Sequence, residues 1–238
     1  MERTKYLVIA FVLWFTVTKA QTYNKDKIYN AYINGEMSQW KQIIDEMEEK
    51  TDKTKTFTLD LVNYHYGYIA WCIGNDKDQQ AEEYLKKAQK HIERLERQNY
   101  KLSVVYAYKS AFIGFEIGLN PFYAPFIGSK SIEYAELAIE KNKKTHMAYI
   151  QLGNAQYYMP EMFGGSKTKA IDYYLKAKSL MENDKNNIEK NWNYLNLLII
   201  IAQAYTETGK KQTAKEYYQK ILAIEPGFQW AKDGLRNL

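Results

Sequence analysis

A single cysteine, Cys72, is all that the chain of 238 residues contains, so no disulfide can form within it and helix packing must supply its stability. Cys72 sits in an apolar stretch, with no base beside it, and reads as a buried core thiol. Proline and glycine are also scarce, at 4 and 12 residues, while Lys, Glu, Gln, Leu and Ala abound; this balance disfavours a turn-rich sheet protein and favours helices. Histidine is limited to His65, His91 and His146, and none falls in an HExxH or another closely spaced metal-ligand run. Acidic runs lie at helical spacing beside lysines and read as solvated faces. Catalysis needs positioned groups with matched proton affinities, and the sequence supplies no such set. It points to no catalytic residue, no metal ligand and no cofactor, and the chain reads as non-enzymatic. The net charge of +5 is spread out with no dense basic run, which argues against nucleic acid as a partner.

Long hydrophobic runs are absent except at the start. Residues 6–17 form a nearly unbroken apolar run after Glu2, Arg3 and Lys5, and Ala20 offers a small residue for cleavage. Residues 1–20 therefore read as a signal peptide, too short for a membrane span. This leaves 21–238 as one exported domain, periplasmic or secreted, in which no second membrane span is expected. No cysteine opens that segment, so a bacterial lipid anchor is not indicated.

What is abundant is helical periodicity. Near the C-terminus Leu198, Ile201, Ala202 and Tyr205 recur at spacings of three and four, as do Ala214, Tyr218, Ile221 and Leu222. Gly209 separates the two stripes and Pro226 follows the second, which predicts a helical hairpin. The spacing of four then three recurs as Trp40, Ile44, Met47; as Ala81, Leu85, Ala88; as Ser131, Ala135, Ala138; and as Ala170, Tyr174, Ala177. Each set follows an apolar helical segment, and Gly67 and Gly153 supply small residues in two of these.

Over 195–228 the pattern Ala202, Tyr205, Gly209, Ala214, Tyr218, Pro226 resembles the tetratricopeptide repeat family, here of an exported bacterial type. The resemblance extends in weaker form over about 25–228. It implies an all-α superhelix of about five helical hairpins, at about 25–50, 58–95, 102–142, 145–182 and 195–228, with a capping helix over 229–238. Small residues let paired helices approach, and no single hairpin can bury both its faces, so the hairpins must stack.

The departures carry information too. From the small residue of the first helix to that of the second, the last unit has 12 residues, but Gly67 to Ala81 is 14, Gly153 to Ala170 is 17 and Ala111 to Ser131 is about 20. The polar stretch 181–193 lengthens another connection and reads as a helix end followed by a structural loop. The two longest hairpin turns carry Phe122, Tyr123 and Phe126, and Met162 and Phe163, and they belong on one edge of the array. Solvated turns rarely hold so many large apolar residues. Either these residues fold back onto the hairpin ends, or they form a docking edge. Gly164 to Lys167 lacks the preceding strand and full spacing of a phosphate loop.

In the resembled family the first helices line a concave groove. Carried over, this places Tyr64, Tyr68, Trp71, Tyr108, Phe112, Phe115, Asn154, Tyr157 and Gln203 toward that groove, with packing between hairpins as the other reading. The expected function is a non-enzymatic scaffold of the cell envelope that holds a partner protein or peptide. The alternative is an exported accessory that binds a small solute for a transport system. A closed cavity beneath Phe122 and Phe163 would favour the solute; an open channel lined by Tyr68, Trp71 and Phe112 would favour a peptide.

Overall fold

The computed structural model describes residues 24–238; the leader read at 1–20 lies outside the described residues. Eleven α-helices and no strand are found among the described residues. In chain order they are α1 (24–34), α2 (Met37–Glu48), α3 (Lys55–Ile73), α4 (Asp78–Arg97), α5 (Leu102–Leu119), α6 (Ala124–Lys141), α7 (His146–Tyr158), α8 (Lys167–Glu182), α9 (Trp192–Glu207), α10 (Lys211–Ile224) and α11 (Gln229–Arg236). Neighbours in sequence pack as pairs, α3 on α4, α5 on α6, α7 on α8 and α9 on α10, and α11 lies on α10. The fold is an all-α helical-repeat superhelix.

The repeated spacing has one structural meaning. All five sets, from Trp40, Ile44, Met47 through Ala214, Tyr218, Ile221, are buried, each on the second helix of its hairpin. The small residues of the first helices are where aromatic rings of neighbouring helices lie against the backbone. A Cβ on Gly153 would stand 2.3 Å from the Tyr174 ring, and one on Gly67 would stand 2.6 Å from Trp40 and 2.7 Å from Trp192. Any side chain there would force apart helices packed at interior density. Turn glycines act differently: Gly35 and Gly209 adopt positive φ, 72° and 75°, which costs glycine least.

The sequence reading left an open hollow inside the superhelix, and the structure fills it. Trp192, at the start of α9, packs edge-on to Trp40 of α2 at 5.0 Å between ring centroids and lies 6.2 Å from Tyr66 of α3. Tyr32 of α1 meets Trp192 at 5.8 Å and Phe228, before α11, at 5.2 Å. Hydrogen bonds reinforce this closure: Tyr29 Oη donates to Glu225 Oε1 at 2.6 Å, Tyr32 Oη to Asn196 Oδ1 at 3.2 Å, and Asn193 Nδ2 to Asn63 Oδ1 at 2.8 Å. The first hairpin thus touches the last, and their aromatic rings occupy the space between.

α5 is long and apolar enough to cross a membrane. It nevertheless packs on α3, α4, α6 and α7, with Lys109 paired to Glu96 at 2.7 Å and Glu116 accepting from Gln89 at 2.6 Å. Those contacts are the environment of an interior helix.

Candidate functional site

The two long connections are built, not slack. In the third hairpin Asn120 turns the chain out of α5, and its side chain accepts from the Phe122 amide at 3.2 Å. Pro121 opens a single 3-10 turn, Pro121–Tyr123, and α6 begins at once with Ala124 and Pro125. The connection is therefore shorter than the spacing from Ala111 to Ser131 suggests, because Phe126 already belongs to the first turn of α6. Proline suits such a position, where its missing amide has no helical partner.

In the fourth hairpin the chain leaves α7 through Met159 and Pro160, makes a 3-10 turn over Glu161–Phe163, and reverses at Gly164 with φ 94°. Gly165 lies so close to the Met159 carbonyl that a Cβ would fall 1.8 Å from its oxygen. Its amide donates to Pro160 O at 3.2 Å, the Ser166 amide reaches Gln156 O at 2.9 Å, and the Ser166 hydroxyl accepts from Lys169 N at 3.3 Å, capping α8. Both glycines are thus explained by backbone geometry.

On these scaffolds the large apolar residues face outward. Phe122 is 85% exposed, Phe126 81%, Met162 83%, Phe163 69% and Tyr123 49%, and Tyr158 at 75% joins them. The reading in which they fold back and bury themselves is overturned by these exposures. α5 and α7 pack together and, two helices apart in an alternating array, run the same way, so both connections lie at one end of it. Neighbouring units support that edge. Ile73 of α3 reaches Gly118 of α5, and Glu207 of α9 receives hydrogen bonds from Tyr157 and Lys167.

The expected groove residues divide differently. Tyr64, Tyr68, Tyr108 and Phe112 are 5%, 2%, 4% and 2% exposed, which corrects their placement on an open face. Their rings fill gaps between helices, and two of the hydroxyls donate within the array: Tyr108 to Asn63 Oδ1 at 2.9 Å and Tyr68 to Gln80 Oε1 at 3.4 Å. Trp71, Phe115, Asn154, Tyr157 and Gln203 are half-buried. Trp71 stacks on Tyr68 at 5.7 Å and Phe115 on Tyr66 at 5.3 Å, and Asn154 accepts from Tyr174 Oη at 2.9 Å. No open channel runs along Tyr68, Trp71 and Phe112. Two shallow, open depressions lie elsewhere, along Gln79, Glu83 and Lys87 on α4 and between Leu222 and Leu235 at the C-terminal end.

A second cluster escaped the sequence reading. Glu48, His65 and His91, from three helices and with no regular spacing, converge so that each offers a ligand atom within 4.8 Å of the others. Burial works against the charge on Glu48, but hydrogen bonds from His65 and His91 outweigh it and hold the carboxyl well below its ordinary range. Burial likewise pushes His65 down against the pull of Glu48.

No protein-family model matches the chain, and no curated protein matches it. Among solved structures, it is similar to the HusA haemophore from Porphyromonas gingivalis, with a TM-score of 0.60 at 17% identity, over 76% of this chain and 93% of that one. At that identity the likeness concerns the fold.

Proposed function

We propose that the chain is an exported, non-enzymatic binding protein of tetratricopeptide type that captures a flat apolar ligand of the porphyrin class on the aromatic rim formed by its third and fourth hairpins. The observation that carries this reading is the exposure of Phe122, Phe126, Met162 and Phe163 on connections shaped by Asn120, Pro125, Gly164 and Gly165. Exposed apolar side chains grouped on a surface mark interaction sites. Phenylalanine faces and a polarizable methionine suit a planar aromatic ligand. The likeness in fold to a haemophore supports the choice of ligand class.

A second reading is favoured by one observation: the rim residues stand out from the surface, Phe122 85% and Met162 83% exposed, and line neither of the two shallow depressions. An open rim also fits the apolar face of a partner protein. Titration of haemin into the chain lacking residues 1–20, followed by Soret absorbance and aromatic fluorescence, separates the two. Saturable binding that is lost when Phe122, Phe126, Met162 and Phe163 are changed together to Ser supports the porphyrin reading. No saturable binding, or binding unchanged by those substitutions, contradicts it.

A further inference from the structure

Glu48 ends α2, His65 lies in the middle of α3 and His91 lies on α4, so the first and second hairpins meet around one carboxylate and two imidazoles. His65 Nε2 is 2.7 Å from Glu48 Oε1; His91 Nε2 is 2.9 Å from Oε1 and 3.0 Å from Oε2. The His65 side chain is fully enclosed, while those of His91 and Glu48 are 14% and 21% exposed, which leaves a path from solvent. We propose that Glu48, His65 and His91 form a binding site for one divalent transition-metal ion of the zinc class, which clamps the first hairpin to the second.

The donor set selects the metal. Two imidazole nitrogens and one carboxylate oxygen suit zinc and its borderline neighbours, whereas calcium and magnesium favour oxygen ligands alone. With ligand bonds of about 2.0–2.2 Å, tetrahedral ligand atoms stand about 3.3–3.6 Å apart. The two carboxylate–imidazole separations are those of hydrogen bonds and open by about half an ångström to admit the ion, while the two imidazoles offer nitrogens within 4.8 Å of each other. Both imidazoles then give up the Nε2 proton and carry it on Nδ1. For His65 this exchange is even: its buried Nδ1 has no hydrogen-bond partner, and an unpartnered acceptor becomes an unpartnered donor. Solvent on the side of His91 and Glu48 supplies the fourth ligand.

Lys87 acts on His65 through its charge, and Lys53 places its Nζ 4.0 Å from Glu48 Oε2. Its ammonium is held away from the carboxylate by the carbonyl oxygens of Glu48 and Lys50, each at 2.6 Å. It weakens the attraction for a cation without occupying the ligand position.

The test uses the untagged chain lacking residues 1–20, with Zn(II) in competition against a chromophoric chelator. One equivalent of Zn(II) is expected to bind and to raise the melting temperature by several degrees. H91A and E48Q are each expected to lose more than about 100-fold in affinity, since even outer-shell partners are worth 10–100-fold. H146Q removes the remaining histidine and is expected to bind as the parent does. Because a variant could lose its fold, Co(II) added to the unaltered chain gives an independent reading through the intense visible bands of a four-coordinate nitrogen and oxygen site. Absence of stoichiometric Zn(II) binding, Co(II) bands of a six-coordinate aqueous ion, or affinity unchanged in H91A and E48Q would overturn the assignment.

Discussion

Trp192 stands edge-on to Trp40, ring planes at 76° and centroids 5.0 Å apart, and both rings lie against the backbone of Gly67. Residues from the first hairpin, the second and the start of the last thereby meet at one point. Gly67→Ala would put a Cβ 2.6 Å from Trp40, and it is expected to lower stability by about 2–3 kcal/mol in urea unfolding. Gly114→Ala, in α5 with nothing within 4 Å of its Cβ, is expected to raise stability by about 0.5–1 kcal/mol through helix propensity alone. Equal effects at the two positions would contradict the account of Gly67.

Closure of the first hairpin onto the last predicts coupling over long sequence distance. Phe228 is buried beneath Tyr32 at 5.2 Å, and Trp230 lies 6.2 Å from the same ring. Phe228→Ala is expected to cost about 3–4 kcal/mol and to lower hydrogen-exchange protection in α1 as well as in α10 and α11. Protection lost in α10 and α11 alone would show that the two ends are independent.

Acid is expected to unfold the protein in two windows. Burial pulls His146 down to about 4, so it prefers the neutral form when folded; its contribution is complete above the ordinary histidine value near 6.5 and fades as pH falls toward 4. Glu182 is partly desolvated, which raises its affinity for protons, but hydrogen bonds from Lys178, Lys220 and Tyr194 win and hold it at about 2. Its contribution persists above about 4.5 and is lost below that. His146→Gln should flatten stability against pH between 6.5 and 4, by on the order of 1–2 kcal/mol after solvent screening. Glu182→Gln should flatten it only below 4.5. Denaturant midpoints measured from pH 7 to pH 3 check both.

The rim side chains contribute little to folding because little of them is buried. Single changes of Phe122, Phe126 or Met162 to Ser are expected to shift stability by less than about 0.5 kcal/mol. Gly165→Ala removes no rim side chain, yet its Cβ collides with the Met159 carbonyl and must re-aim the loop. It is expected to weaken haemin binding while α1–α6 keep their exchange protection. A melting temperature that falls steeply in the Phe122 and Phe126 variants would mean that these rings pack in solution.

Local periodicity made the hairpins legible. Small or apolar residues at four-then-three spacing, from Trp40 to Ile221, marked every second helix, and Gly67 and Gly153 marked close approaches whose partners were not visible. The filled interior was not legible, because it depends on how far the superhelix coils, and Trp192 lies in a stretch, 181–193, that otherwise reads as a polar linker. Tyr abundance suggested a groove, yet Tyr64, Tyr68 and Tyr108 pack between helices with their hydroxyls satisfied or near the surface. The Glu48–His65–His91 cluster had no signature, since its members lie 17 and 26 residues apart on different helices. Exposure of the aromatic rim followed from turn chemistry that residue types alone left open: Asn120 capping and the Gly165 contact fix which way Phe122 and Phe163 face.

Hydrogen-exchange mass spectrometry of the chain with and without haemin tests most directly that the rim, and not the interior, receives the ligand. Slowed exchange confined to residues 120–127 and 158–166, with α3 and α9 unchanged, is the predicted result. Slowed exchange centred on α3 and α9, or none at any residue under saturating haemin, would contradict it.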